Sequence, residues 1–279
     1  MRLTLGFSPC PNDTFIFDAL VNGQIDTGSI SFDVILEDVQ TLNEWAQQGR
    51  LDVSKVSYGT LPFILKDYRV LESGGALGNG VGPLLISKSE IQNTTVEILR
   101  KKVNESIIAV PGEHTTAYFL FSQAFPEANQ KVFLRFDQIE DWVASGHGLG
   151  VIIHENRFTY AQKGLFKWAD LGEHWEQQTG LPIPLGGIVG KRSLPKPILV
   201  EINSAIQKSL IKAWEKYPVL SAYVKAHAQE MDEPVMRSHI ELYVNNFTYS
   251  MQKSGRKAIL SMMEVMAGKD LFSEESIFL

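Results

Sequence analysis

The chain has 279 residues, 44% hydrophobic and 21% charged, with a formal net charge of -6 and a single cysteine. At about 150 residues per domain this length predicts two lobes of an ordinary globular protein, and an acidic balance with no concentrated basic face excludes nucleic acid as the main partner. The lone Cys10 excludes an internal disulfide and a cysteine-based zinc site and fits a reducing, cytoplasmic setting. No stretch approaches the roughly 18 apolar residues of a membrane span, so no membrane insertion is expected, and the first residues read as a strand instead of a signal peptide.

Residues 2–8 form a predicted strand, Pro9-Cys10-Pro11 a stiff turn, and Asn12-Asp13-Thr14 the start of a helix through Leu20, with Asn12 or Asp13 capping its free N–H groups. A helix start at the end of a first strand is where open α/β sheets take ligands. A strand over 30–36, a helix over 41–48 and a strand over 52–56 follow, the last running into Ser57-Tyr58-Gly59. This βαβ spacing predicts a mostly parallel sheet. A strand over 68–72 leads into Ser73-Gly74-Gly75-Ala76-Leu77-Gly78-Asn79-Gly80-Val81-Gly82-Pro83. That stretch matches neither the dinucleotide fingerprint nor a phosphate loop. It reads as a close-packed irregular loop, with nucleotide binding as the second reading. Residues 84–87 are a strand and 88–93 a crossing between lobes.

A helix over 94–102 opens a second series: a strand over 107–110, the turn Pro111-Gly112-Glu113-His114, and Thr115-Thr116 at the start of an apolar helix through Phe125. Paired threonines there offer hydroxyls and N–H groups to an anion, or they cap the helix in the ordinary way. Then come a strand over 132–136, a helix over 138–145, a strand over 149–153 and a short helix or turn over 158–163. The strand over 149–153 is an apolar run that ends in His154-Glu155 and so delivers polar groups to a surface or cleft. His154 is a candidate general base or acid, because an imidazole titrates near working pH; the alternative is a strand cap with one hydrogen bond. Residues 181–190 read as a return strand, and helices follow over 197–216, 219–228, 234–244 and 256–267. The pattern predicts a first α/β lobe over 1–90 and 188–279, a second lobe inserted over 91–187, and a hinged cleft between them.

In such a fold Ser8, Asn12, Asp13, Thr14, Ser57, Tyr58, His114, Thr115, Thr116, His154, Glu155 and Tyr160 are expected to face one cleft. Of these, His154 is the catalytic candidate, and Asn12, Asp13, Thr14, Ser57, Tyr58, Thr115, Thr116 and Tyr160 are the substrate-binding candidates. The set is rich in hydroxyls and poor in paired acids, which disfavours a glycosidase pair and leaves open whether Asp13 or Glu155 assists His154. His154-Glu155 is half of a zinc helix motif, but the fifth position is Phe158, so no metal is expected.

Four segments carry a resemblance: Ser8-Pro9-Cys10-Pro11-Asn12-Asp13-Thr14-Phe15, Ser73-Gly74-Gly75-Ala76-Leu77-Gly78, His114-Thr115-Thr116-Ala117-Tyr118-Phe119 and Ile152-Ile153-His154-Glu155-Asn156-Arg157-Phe158-Thr159-Tyr160. In this order they closely resemble 1,4-dihydroxy-6-naphthoate synthase of the futalosine route to menaquinone, and the likeness extends to Tyr243-Val244-Asn245. The resemblance implies a periplasmic-binding-protein-like (type II) fold and a lyase without cofactor. That lyase takes cyclic dehypoxanthine futalosine to 1,4-dihydroxy-6-naphthoate and a sugar-derived fragment. It further implies that His154 removes a proton activated by a neighbouring ketone, while hydroxyl and backbone donors stabilise the enolate. The expected partner is a small-molecule carboxylate, and the oligomeric state is open. Chorismate dehydratase of the same pathway and a non-catalytic small-molecule receptor are the alternatives.

Overall fold

β1 (Arg2–Phe7) enters the protein through Leu3, Leu5 and Phe7, all buried, and α1 (Pro11–Val21) packs back on it with Phe7 and Phe17 stacked at 4.4 Å. The helix begins earlier than expected. Cys10 is its N-cap, without a side-chain cap bond, so Asn12 and Asp13 lie inside the first turn. Pro11 explains the shift, because its φ is already helical and it has no N–H to leave unsatisfied. β2 (Ser31–Leu36) pairs parallel with β1. α2 (Val39–Gln47) is capped by Asp38, whose carboxylate accepts from the Gln40 and Thr41 N–H groups at 2.9 and 3.3 Å. β3 (Val53–Ser57) flanks β1 on its other side, also parallel. A 3₁₀ turn (Tyr58–Thr60), α3 (Leu61–Ile64), β4 (Tyr68–Val70) and β5 (Ala76–Gly78) follow. β5 lies in the glycine-rich stretch expected to be an irregular loop; pairing with a strand far along the chain makes it regular.

β6 (Leu84–Ser87), α4 (Val96–Asn104), β7 (Ile108–Val110), α5 (Thr116–Ala124), β8 (Lys131–Phe133), α6 (Ile139–Ala144), β9 (Leu149–Ile152), α7 (Asn156–Thr159), a 3₁₀ turn (Tyr160–Lys163), β10 (Phe166–Asp170) and α8 (Leu171–Thr179) build a second sheet in the order β10-β6-β9-β7-β8. The last two elements were not expected from sequence, since β10 is an edge strand whose Phe166 is exposed and shows no clean alternation. β11 (Ile183–Lys191) then returns to the first sheet, and α9 (Lys196–Lys216), α10 (Ala222–His227), α11 (Glu233–Tyr243), α12 (Asn246–Tyr249), α13 (Gln252–Ala267) and α14 (Glu274–Ile277) complete the chain. The first sheet has the order β2-β1-β3-β11-β4, with β5 on β11. The Ser209 hydroxyl of α9 donates to the Ile16 carbonyl at 2.6 Å and accepts the Leu20 N–H at 3.1 Å, fastening α9 to α1.

This computed structural model describes residues 1–91, 95–229, 232–269 and 271–279. It separates into one unit of Met1–Gly78 with Pro184–Leu279 and another of Asn79–Ile183. The first boundary therefore falls before β6 instead of near residue 90. β6 is buried along its whole length and pairs on both edges, with β9 and β10, so it is integral to the second sheet. Asn93 and Thr94, where the crossing and the next helix were expected to meet, lie outside the described residues. The sheets are also less parallel than the alternation suggested. β11 runs antiparallel to β3 and β4, and β6 antiparallel to β9 and β10. Among the described residues no helix is long and apolar enough to cross a membrane.

Candidate functional site

In the first unit the end of β1, the middle of β3 and the start of α1 converge on the Asp13 carboxylate. One of its oxygens accepts the Ser8 N–H and hydroxyl at 3.2 and 2.7 Å, and the other accepts the Asn12 amide at 2.9 Å. The Lys55 ammonium sits 2.9 Å from the second oxygen, with side-chain exposures of only 7% for Lys55 and 3% for Asp13. Lys55 also donates to the Gly74 carbonyl at 3.1 Å. Taking two charges out of water is tolerable only when each finds several partners, and here both do.

This arrangement decides how Asn12 faces. Its Nδ2 donates to Asp13, which only accepts, so the amide presents Oδ1 on its other side, buried and without a hydrogen-bond partner. That oxygen suits a hydroxyl donor. Thr14 turns inward instead: its hydroxyl bonds to the Cys10 and Pro11 carbonyls at 3.1 and 3.3 Å, and the residue is fully buried. Ser57 exchanges two bonds with Asn43, its N–H donating to Oδ1 at 2.8 Å and its Oγ accepting from Nδ2 at 3.1 Å, which leaves the hydroxyl proton for a further acceptor. Tyr58 is completely buried. Its hydroxyl lies against Gly187 and Gly75, and a Cβ on Gly75 would come within 3.1 Å of it. Burial first, and the charge of Glu72 second, hold the Tyr58 phenol far above its usual pKa, so it stays protonated.

In the second unit β9 ends at Ile152 and the backbone turns at His154 with φ 56°. That region is rarely occupied by residues other than glycine, and histidine is among those that tolerate it best. The half-buried imidazole meets the Phe136 ring edge-on at 4.8 Å. The Arg157 N–H donates to the His154 carbonyl at 3.3 Å and the Phe158 N–H to the Glu155 carbonyl at 2.8 Å, so the turn leads directly into α7. Glu155 is buried, and Tyr160 is half-buried against the core of Leu84, Ile86, Ala109, Ile139, Val143, Ile152 and Leu165. Thr115 caps α5, its hydroxyl accepting the Tyr118 N–H at 3.1 Å and donating to the Gly112 carbonyl at 2.8 Å. Thr116, also buried, is the first helical residue, and His114 is half-buried just before.

The structure thus gathers Asn12, Asp13 and Ser8 into one cluster in the first unit, with Ser57 and Tyr58 at the end of the strand that carries Lys55. In the second unit it sets His154 after β9 and Thr115 and Thr116 after β7. Lys55, Asn43, Arg157 and Phe136 were not among the candidates. Lys55 had a legible signal, a charge in the middle of the strand Val-Ser-Lys-Val-Ser; a lysine so placed needs a buried partner. Asn43, Arg157 and Phe136 act through contacts far along the chain and carried none. Chemically, the groups present offer an imidazole for proton transfer, an amide oxygen and a serine hydroxyl for polar substituents, and a helix start suited to a carboxylate.

The menaquinone biosynthesis family model matches residues 3–268. A protein of Thermus thermophilus named "1,4-dihydroxy-6-naphtoate synthase" is 43% identical over 258 residues, 92% of this chain and 91% of its own. One of Streptomyces coelicolor with the same name is 42% identical over 278 residues, 96% of this chain and 94% of its own. Among solved structures, protein AF1704 from Archaeoglobus fulgidus superposes with a TM-score of 0.86 at 30% identity, covering 95% of this chain and 97% of that one. The periplasmic aliphatic sulphonate binding protein SsuA from Escherichia coli superposes with a TM-score of 0.61 at 11% identity, covering all of this chain (100%) and 92% of that one. That likeness shows a periplasmic-binding-protein-like fold and no more. The motifs around Asn12 and His154 and the match along nearly the whole chain lead to one conclusion: this chain belongs to the menaquinone biosynthesis family.

Proposed function

We propose that the chain is a lyase that converts cyclic dehypoxanthine futalosine to 1,4-dihydroxy-6-naphthoate, with release of a sugar-derived fragment and without a cofactor. The observation that carries this reading is His154, an imidazole held after β9 in a left-handed turn, in a chain 43% identical to a synthase of that name. Unusual backbone geometry concentrates where function demands one orientation. His154 acts as the general base on a proton activated by a neighbouring ketone, and hydroxyl and N–H donors stabilise the enolate that forms. Ring opening expels the sugar-derived fragment, and aromatisation of the remaining ring drives the reaction forward.

The other groups serve binding. Thr115 and Thr116, at the start of α5, take the substrate carboxylate through the helix N-terminus. Asn12 Oδ1 accepts from a substrate hydroxyl, Ser57 donates to an oxygen, and Tyr160 contacts the substrate through its half-buried side chain. Asp13, Thr14 and Tyr58 support these groups from behind. The single cysteine supports a reducing, cytoplasmic setting. The test is an assay of purified, chelator-treated protein on cyclic dehypoxanthine futalosine with nothing else added, the product identified by absorbance and mass. Turnover of chorismate instead makes it the dehydratase. Saturable binding of either compound without turnover makes it a receptor.

A further inference from the structure

A non-glycine residue at φ 56°, as at His154, persists only where the surroundings over-determine it. Arg157 supplies the constraints. Its N–H donates to the His154 carbonyl at 3.3 Å. Its guanidinium donates from Nη2 to the Gly80 carbonyl at 2.9 Å and to the Asp170 carboxylate at 2.8 Å, and from Nη1 to the Gly82 carbonyl. The side chains of Arg157 and Asp170 are only 17% and 5% exposed. Asp170 is itself fixed, since it caps α8 and accepts the Gly172 N–H at 2.9 Å. α7, which carries Arg157, has 4 residues. A single helical turn does not hold its own shape or direction, so these anchors to the end of β10 and to the Gly80 to Gly82 stretch orient it.

We infer that Arg157 is a positioning residue for His154: by pinning α7 to Gly80, Gly82 and Asp170 it holds the left-handed turn that aims the imidazole. This rests on the reading of His154 as the base. The planar guanidinium meets two carbonyls and a carboxylate at once with donors in fixed directions. A lysine in the same place, a single flexible point charge, satisfies them one at a time. Nothing in the mechanism requires Arg157 to touch the substrate, so its loss falls on the rate and not on binding.

Wild type, Arg157→Ala, Arg157→Lys and His154→Asn are to be compared by steady-state kinetics on cyclic dehypoxanthine futalosine, with thermal melts to establish folding. Arg157→Ala is expected to lower kcat about tenfold or more while KM stays within about threefold, the signature of a lost catalytic geometry. Arg157→Lys stays slow, and millimolar guanidinium chloride restores several-fold activity to Arg157→Ala and none to His154→Asn. In isotope-labelled protein the His154 ring resonances shift or broaden in both Arg157 variants. A folded Arg157→Ala enzyme with kcat within about twofold of wild type, beside an inactive His154→Asn, overturns the inference and leaves the base intact. An active His154→Asn removes the base itself, and the inference with it. Should Arg157→Ala not fold, Arg157→Lys decides: wild-type kcat with unmoved His154 resonances overturns the inference.

Discussion

The Asp13 cluster of the first unit and the His154 turn of the second use polar groups in opposite ways. Around Asp13 every charge is buried, paired and hydrogen-bonded, and the backbone is ordinary. At His154 the imidazole is half-buried beside an aromatic edge and the backbone is strained. The first arrangement has little left to give a substrate except the Asn12 oxygen, and its main return is rigidity. The second is the turn proposed to be held by Arg157, and its imidazole is the group proposed to transfer a proton. Where a polar cluster satisfies itself it reads as scaffold, and where geometry is enforced at some cost it reads as chemistry.

The largest expected effect tests the scaffold side. Lys55→Met leaves Asp13 as a buried, uncompensated carboxylate and is expected to cost about 3–5 kcal/mol of stability in urea unfolding. Combining it with Asp13→Leu should return part of that loss. A single variant within about 1 kcal/mol of wild type would show the pair to be less buried in solution than here.

On the chemical side His154→Asn is expected to lower kcat by about 10²-fold, equivalent to about 2.7 kcal/mol, and to melt within a few degrees of wild type. Asparagine is the apt replacement because it too tolerates the left-handed region. The pH profile of kcat/KM should lose the limb that the base contributes; a retained limb assigns the base elsewhere.

The α5 start combines both uses, since Thr115 caps the helix and is proposed to hold the carboxylate. Replacing Thr115 and Thr116 by valine should weaken product-acid affinity by about 1–3 kcal/mol and, separately, lower stability by about 1 kcal/mol through the lost cap. Calorimetric titration and denaturation measure the two. A stability loss with unchanged affinity for the acid would make α5 pure scaffold.

The smallest effect concerns Asp52. Partial burial raises its pKa, but the Thr4 N–H and hydroxyl, each at 2.9 Å, and Lys191 at 3.5 Å outweigh it and leave the carboxyl below its ordinary value. A depressed folded pKa stabilises above the unfolded pKa and is lost as pH falls through the folded one. Thr4→Val should therefore be destabilised most at neutral pH, and the gap to wild type should close below about pH 4. A constant gap would assign the Thr4 effect to packing.

Much of this was legible from the residues because the local rules point one way. Apolar runs of strand length alternating with helical periodicity placed β1, β3, β9 and α5 within a residue or two of where they lie. The polar residues at the ends of those elements were therefore recognisable as candidates. β10 escaped because edge position and exposure blur the periodicity. The α1 cap was misplaced because a proline just inside the helix outweighs the better capping residues after it.

The sequence by itself determined the α/β class, the alternation of elements and the types of group at the strand ends, all of which follow from residue spacing. Only the tertiary structure decided that β6 belongs to the second sheet and that β11 runs antiparallel, since strand direction leaves no trace in a period-two pattern. It alone matched Lys55 with Asp13 and Arg157 with Asp170, Gly80 and Gly82, and so turned Asn12 into an acceptor and His154 into a strained, held imidazole. Such pairings join residues up to 77 positions apart, and side chains at that separation meet only when the sheet brings their strands and turns together.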